Sequence, residues 1–130
     1  TTLTECGWRL SDPQICAATP DAYREYIWRS RGEFSAAKHG YVAGRTGWFS
    51  DRSACYLAAG RPVILQDTGF SRHLPVGHGL MAFEDSAGAV AAVRAVEADY
   101  ASHARGAHEL AREYFDARRV LPRLLEVAGL

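Results

Sequence analysis

The feature that most constrains this chain is a short apolar run at residues 63–65 (Val-Ile-Leu), which follows directly on a complete set of helix signals. Ser50 is a favourable N-cap for a helix over residues 51–59, and Gly60 is a favourable residue for ending it. Pro62 then blocks any extension of that helix. An apolar run of this length between turn-forming residues is typical of a central parallel strand. The succession of helix, turn and buried strand therefore predicts an α/β chain.

Similar signals predict further elements before and after this run. Thr19, Pro20 and Asp21 are the N-cap, the first helical residue and a first-turn acid of a helix that ends at Gly32. Strands are predicted at residues 33–37 and 80–83, and weaker candidates for strand or extended backbone at 8–10 and 15–18. Glycine-rich loops are predicted at 39–49 and 68–79. This alternation predicts an open parallel sheet that helices cover on both faces.

The last third of the sequence is predicted to be helical. Three helices are expected there, starting at Asp85 or Ser86, near Tyr100 and at Asp116. Their apolar residues recur at helical spacing, which indicates buried faces. The predicted faces are Ala89, Val90, Val93 and Val96 in the first helix, Tyr100, Ala104, Ala107, Leu110, Ala111, Tyr114 and Phe115 in the second, and Val120, Leu121, Leu124, Leu125 and Ala128 in the third.

Length, charge and cysteine content limit the possible functions. The 130 residues suffice for one domain and are too few for two. Fifteen basic residues balance fifteen acidic ones, which argues against a nucleic-acid partner because duplex binding needs a basic face. Cys6, Cys16 and Cys55 are odd in number and lack zinc-site spacing, which indicates a reducing compartment, the cytoplasm. The sequence contains neither a visible signal peptide nor an apolar run long enough for a membrane span.

Two glycine-rich loops leave predicted strand ends, where open α/β sheets bind their ligands. The first loop reaches the helix N-terminus at Ser50, where backbone N–H groups and the helix dipole favour a phosphate. Lys38 and Arg52 can add charge-assisted hydrogen bonds to the same anion. The residues leave a second interpretation open, because Ser50 with Asp51 is also ordinary helix capping and Lys38 also fits a solvated charge.

The segment that carries a family resemblance is residues 47–69, GWFSDRSACYLAAGRPVILQDTG. It resembles the donor-binding segment of glycosyltransferases with two Rossmann-like domains, the GT-B type. That segment has a loop of small residues, a helix ending in Ala-x-Gly-x-Pro-Val, a strand, and then Asp with a glycine-containing loop. The Gly-Leu-Met-Ala-Phe strand and the long helices after it are also similar to the C-terminal half of that family, so the resemblance covers about residues 20–128.

The resemblance implies a three-layer Rossmann-like domain with an open parallel sheet and C-terminal helices, which is the donor half of a longer enzyme. Its partners would be a nucleotide-diphospho-sugar and the N-terminal domain of the same chain, without nucleic acid or a membrane span. Neither a cofactor nor a metal is implied in this half. The general base would lie in the other domain, so this chain alone is expected to be inactive. The implied donor-binding residues are Lys38, Ser50, Asp51, Arg52, Ser53, Thr68, Gly69 and Phe70.

One position departs from the family pattern. Members commonly carry a glutamate in the middle of the donor helix that holds the ribose hydroxyls, whereas this chain has Cys55 and Tyr56 there. Asp51, one turn earlier, is a weak substitute. Two other functions also remain open: a non-catalytic binding or interaction module of the same fold, and half of a sugar-nucleotide epimerase. An interaction module, or a chain separated from its partner domain, should expose an apolar face.

Aromatic and histidine side chains in the two loops have alternative interpretations. Trp48 can stack on a base or a sugar, or it can anchor its loop by filling a hole beneath it. His73 and His78 flank a Pro-Gly loop, where surface positions are favoured over contact with a sugar hydroxyl. The histidines lack the spacing of a helical zinc site.

Overall fold

The sheet of this protein consists of three short parallel strands that lie side by side in chain order. In the computed structural model, which describes residues 2–130, β1 comprises Glu33–Ser35, β2 comprises Val63–Gln66 and β3 comprises Leu80–Phe83. β2 is central, and its Ile64 lies between Phe34 of β1 and Met81 of β3. The prediction of an α/β chain with an open parallel sheet is confirmed.

The helices alternate with the strands and then follow them. Within residues 2–130 they are α1 (Pro13–Cys16), α2 (Pro20–Arg29), α3 (His39–Ala43), α4 (Asp51–Ala58), α5 (Ser86–Ala98), α6 (Tyr100–Tyr114) and α7 (Ala117–Val127), with a 3-10 turn at Phe70–Arg72 before β3. None of these helices combines the length and the apolar character needed to cross a bilayer.

The main helix boundaries follow the capping signals of the sequence. Thr19 Oγ1 accepts a hydrogen bond from the Ala22 N–H (3.1 Å) at the start of α2. Ser50 caps α4 in the same way, and Gly60 follows that helix with a left-handed φ of 67°. Both helices are confirmed, although α2 ends at Arg29, before the predicted stop.

Of the two weak strand or extended candidates near the N-terminus, the one at residues 15–18 is wrong, and the one at residues 8–10 forms no strand. Ile15 and Cys16 lie in α1, where Asp12 Oδ1 accepts a hydrogen bond from the Gln14 N–H (2.9 Å) and Pro13 fits the first turn. Residues 8–10 form no regular element. A local capping signal at Asp12 therefore outweighs the strand propensity of Ile15.

The loop predicted over residues 39–49 contains a short helix, α3. Gly40 within it disguises the helical pattern in the sequence. The Tyr41 ring stacks on the Trp48 ring with centroids 5.2 Å apart, and this contact stabilises α3 against the rest of the loop. Tertiary packing thus overrides a weak local propensity.

Successive residues of β2 pack into two different apolar clusters. Val63 and Leu65 belong to a cluster with Leu57 of α4 and Ala107 and Leu110 of α6. Ile64 points the other way and joins Phe83 and the α5 residues Ala89, Ala92 and Val96. This alternation follows from the two-residue period of a strand. The helices α4 and α6 therefore cover one face of β2, and α5 covers the other.

β1 is shorter and less buried than predicted. It ends at Ser35, and the Phe34 side chain is 47% exposed although its ring stacks on Phe83 with centroids 5.4 Å apart. The reason is its position in the sheet, since β1 pairs with β2 alone. A sequence pattern identifies a strand without indicating that it lies at an edge.

The predicted helix faces differ in part from those observed. On α6 the predicted Tyr114 is exposed, whereas Ala107, Leu110 and Ala111 are buried as expected. The buried face of α5 contains Ala92 rather than Val90 and Val93, which are both exposed. On α7 the predicted apolar residues are exposed and none is buried. Helical spacing reveals an apolar stripe but not whether another element of the same chain covers it.

The start of β3 is fixed against α6 by a close backbone approach. Gly79 has a φ of 78°, and a Cβ added there would collide with the backbone nitrogen of Ala107. The Gly79 N–H donates to Nδ1 of the buried His103 (3.1 Å), while the Gly79 carbonyl accepts from the Val63 N–H (2.9 Å). Gly79 therefore joins α6, β2 and β3 at the end of the sheet opposite the strand carboxyl ends.

Candidate functional site

An open cleft of about 230 Å³ lies at the carboxyl ends of β1 and β2, beside the N-terminus of α4. This is the edge at which open parallel sheets bind ligands. The charged side chains that line the cleft are Lys38 and Arg52, and the others are hydroxyl-bearing, amide, aromatic or aliphatic. The full lining is Ser35, Ala36, Ala37, Lys38, Tyr41, Trp48, Ser50, Arg52, Ser53, Leu65, Gln66, Thr68 and Phe70.

The helix N-terminus at the cleft is partly satisfied by its own cap. Ser50 Oγ and Asp51 Oδ1 both accept from the Arg52 N–H, at 3.3 and 2.8 Å. Asp51 thus acts as a capping residue, and its side chain does not line the cleft. The positive end of the helix dipole still faces the cleft.

Arg52 is held by a buried carboxylate. Its Nε donates to Glu33 Oε1 at 2.7 Å, and its Nη2 donates to Ser35 Oγ at 3.1 Å. The Glu33 side chain is only 5% exposed. Burial lowers the pKa of Arg52, but the hydrogen bond and the charge of Glu33 outweigh this effect and raise the pKa above its usual value. Much of the Arg52 charge is therefore used to compensate Glu33.

Lys38 is the only lysine of the sequence, and its side chain lines the cleft. It precedes α3 as the N-cap residue without making a side-chain cap bond. No carboxylate of residues 2–130 forms an ion pair with it. The Lys38 ammonium is therefore the cation of the cleft whose charge is not neutralised by a neighbouring side chain.

Ser53 contributes a hydroxyl that has no hydrogen-bond partner in the described part of the chain. Its side chain is completely buried, yet it lines the cleft one residue beyond Arg52 in α4. A buried hydroxyl without a partner costs about 1–3 kcal/mol. A ligand atom or a water would reach this hydroxyl only after the cleft wall opens locally, because the side chain is completely buried.

The two loops that form the cleft wall are bonded to each other through Thr68. Its hydroxyl donates to the Trp48 carbonyl at 2.7 Å, and its own carbonyl accepts from the Gly47 N–H at 2.9 Å. Arg45, with a φ of 43°, places a guanidinium nitrogen 3.5 Å from Asp67 Oδ2. Positive φ is unfavourable for arginine, so these contacts maintain a strained loop at the site.

Asp67 organises the turn after β2. Oδ1 accepts from the Gly69 N–H at 2.8 Å, and Oδ2 accepts from the Ser71 hydroxyl at 2.7 Å. Desolvation raises the pKa of Asp67, but the bonds from Ser71 and Gly69 and the charge of Arg45 outweigh it and hold the pKa below its usual value. The buried Asp67 carboxylate is thus satisfied within the protein, and it does not line the cleft.

Trp48 lies over the cleft rather than in a hole beneath its loop. Its side chain is 53% exposed, and its ring stacks on the ring of Tyr41. The exposed ring area is available for stacking on a planar group. Phe49, the next residue, packs instead between Phe70 and Phe115, with ring centroids at 5.6 and 5.3 Å.

Six of the eight residues implied by the sequence lie together around the cleft, and two lie outside it. Gly69, with a φ of 101°, is buried behind the cleft, where an added Cβ would be 3.1 Å from the Arg45 carbonyl oxygen. Asp51 caps α4 as described above. The residues in the cleft lining are Lys38, Ser50, Arg52, Ser53, Thr68 and Phe70.

Several lining residues had no assigned role in the sequence. Gln66 was not recognised as a site residue because it ends the apolar strand β2, and Tyr41 was not recognised because the sequence did not predict α3.

Other residues considered from the sequence lie outside the cleft. Cys55 faces a groove between α2 and α4, and Tyr56 is in the core, so neither lines the cleft. His78 is at the opposite end of the sheet and bonds Ser102 at 3.0 Å, and His73 is exposed outside the cleft lining.

No cluster of three or more metal-ligating side chains occurs among the residues that the structure describes. The three cysteines, Cys6, Cys16 and Cys55, form no disulfide there.

Comparisons with protein families, with curated proteins and with solved structures find no match for this chain. The function must therefore be argued from the cleft itself.

Proposed function

We propose that this chain is the nucleotide-diphospho-sugar-binding half of a glycosyltransferase of the GT-B type, and that the cleft holds the donor diphosphate. In this proposal the domain is a three-layer Rossmann-like domain, which the helices on both faces of β2 support. Its location is the reducing cytoplasm, in keeping with three unpaired cysteines.

The observation that carries the proposal is the anion-accepting character of the cleft. Lys38 has an ammonium without an ion-pair partner in residues 2–130, and Ser53 has a buried hydroxyl without a bond. Both lie beside the N-terminus of α4, whose dipole favours a negative group. A phosphate in the cleft would satisfy the ammonium and the dipole together, and it would reach the Ser53 hydroxyl after a local shift of the cleft wall, because that side chain is completely buried. The alternative interpretation, in which Lys38 is a solvated charge and Ser50 an ordinary helix cap, does not explain the buried Ser53 hydroxyl.

The proposed catalytic contribution is electrostatic. When the bond between the sugar and the diphosphate of the donor breaks, negative charge increases on the leaving nucleoside diphosphate. The helix dipole and the Lys38 ammonium would stabilise this charge more strongly than that of the intact donor, which lowers the barrier. A general base would come from the N-terminal domain, so this half binds and orients the donor without completing the reaction. No cofactor or metal enters this part of the proposal.

Exposed apolar surfaces support a partner domain in the proposal. The apolar face of α7, which includes Leu121, Leu124 and Leu125, contacts no core of the described residues. α7 begins just after Phe115, which stacks on Phe49 next to the cleft. A domain that covers α7 would therefore also approach the cleft. The same surface equally favours the alternative function, a non-catalytic interaction module of the same fold.

Amide NMR of the chain titrated with UDP, GDP and dTDP tests the proposal. We expect amide shifts at residues 50–53 and 68–70 and around Lys38, and no shift of residues 50–53 with uridine, which lacks the diphosphate. Ser53→Ala should weaken binding without loss of stability, because it removes a hydroxyl that forms no hydrogen bond within residues 2–130. Ser11→Ala, at an exposed position outside regular structure, is the control. Absence of shifts with every nucleotide would favour the interaction module.

A further inference from the structure

Gln66 lines the cleft, and a hydrogen bond fixes its amide group in one orientation. It is the last residue of the central strand β2, and it pairs with Phe83 of β3. Its Oε1 accepts a hydrogen bond from the Ala37 N–H at 3.1 Å. Because a backbone N–H can only donate, the amide group must present its oxygen to Ala37. The Gln66 Nε2 group therefore points away from Ala37.

The two N–H groups of Gln66 Nε2 have no acceptor among residues 2–130. The side chain is half-buried in the cleft lining, close to Thr68 in the chain and in the same wall as Ser53. Two donors in the lining of a cleft whose charged side chains are both positive suit an oxygen that accepts hydrogen bonds. The bond to Ala37 also holds the residue that precedes Lys38.

We propose that Gln66 is a diphosphate ligand: Nε2 donates to a phosphate oxygen of the bound nucleotide, while Oε1 holds Ala37 and so positions the Lys38 segment. The inference rests on the proposed function, since it concerns the same cleft and the same diphosphate. It adds a neutral donor that lies on the sheet rather than on α4. It also couples ligand binding to the loop that carries Lys38.

Gln66→Glu separates the two roles of this side chain. Glutamate retains an acceptor for the Ala37 N–H, but it has no N–H to donate and repels a phosphate. We expect the dissociation constants of inorganic pyrophosphate and of UDP both to rise at least about tenfold, as for loss of a hydrogen bond to a charged group. The Ala37 amide signal and the melting temperature should stay close to those of the original chain. Gln14→Glu on α1 makes the same charge change at an exposed position and should leave binding unchanged.

Each outcome of this experiment has a defined meaning. Binding of Gln66→Glu within about twofold of the original chain overturns the inference, and so does weaker binding of UDP with unchanged binding of pyrophosphate, which would assign Gln66 to the sugar or base. If Gln66→Glu does not fold, Gln66→Met removes both donors without adding charge, and unweakened pyrophosphate binding by that variant overturns the inference. If the original chain binds neither pyrophosphate nor any nucleotide, the proposed function itself fails.

Discussion

Arg52 Nε lies 2.7 Å from Glu33 Oε1, so the cation at the start of α4 is bonded to a carboxylate that is almost completely buried. Charge reversal at Arg52 is the obvious test of anion binding when only the sequence is known. The structure changes its meaning, because an acidic residue at position 52 would face Glu33 without compensation. A loss of activity in that variant would reflect impaired folding as well as impaired donor binding.

Arg52→Met should destabilise the protein by about 2 kcal/mol or more, because a buried carboxylate loses its partner. Arg29→Met is the matched control, since Arg29 forms an exposed ion pair with Glu25 and its loss should cost under about 1 kcal/mol. The double variant Glu33→Gln/Arg52→Met should recover part of the loss. Urea unfolding measures all three. Equal stability of the two single variants would show that Glu33 does not depend on Arg52.

Lys38 should react selectively with an amine reagent that carries a phosphate, such as pyridoxal phosphate followed by borohydride reduction. Since Lys38 is the only lysine, peptide mass spectrometry needs to distinguish it only from the N-terminal amine. UDP and pyrophosphate should slow labelling of Lys38, because they occupy the same anion site, whereas uridine should not. The N-terminal amine is the internal control. Labelling of Lys38 at an unchanged rate with saturating UDP would remove Lys38 from the site.

Asp67 should contribute to stability only where its carboxylate is ionised. Its folded pKa lies below the usual value, so the contribution is complete above the unfolded pKa of about 3.9 and is lost as the pH falls through the lower folded value. Asp67→Asn should therefore reduce stability at pH 7 and flatten the fall in stability below about pH 4. Asp21→Asn, which changes an exposed carboxylate of α2, is the control. If the free energies of unfolding of Asp67→Asn and the original chain fall in parallel across this acid range, Asp67 does not cause the acid dependence.

Gly79→Ala and Gly77→Ala separate backbone strain from close packing. Both glycines have positive φ, 78° and 103°, but only an added Cβ at Gly79 meets α6, whereas nothing lies within 4 Å at Gly77. Gly77→Ala should cost about 1–2 kcal/mol from strain alone. Gly79→Ala should cost clearly more, because Ala107 must move as well. Similar free energies of unfolding for the two variants would show that the loop relaxes away from α6.

The parts of the fold that the sequence predicted are those with local causes. Ser50, Gly60 and Pro62 determine the limits of α4 through their own backbone preferences, and residues 63–65 follow as a strand whatever surrounds them. The clustering of Lys38, Ser50, Ser53 and Thr68 around one cleft agrees with the rule that parallel strands end at the same edge.

The parts that the sequence did not reveal depend on distant contacts. The pair of Glu33 with Arg52 joins residues 19 positions apart, and the exposure of Phe34 depends on β1 being an edge strand. The bond from Ala37 to Gln66 exists only once β1 and β2 are aligned. No local propensity contains this information, so the contact between Ala37 and Gln66 could be recognised only in three dimensions.

The double hydrogen bond of Thr68 to Gly47 and Trp48 has a consequence for the thermodynamics of binding. Because the loops after β2 and before α4 are tied together, their conformational entropy is already lost when the chain folds. A ligand then meets a preorganised wall and need not order two separate segments. The association rate for a phosphate should accordingly be governed by diffusion and charge. A substitution at Thr68 should chiefly lower this association rate, because the two loops must then become ordered when the ligand binds.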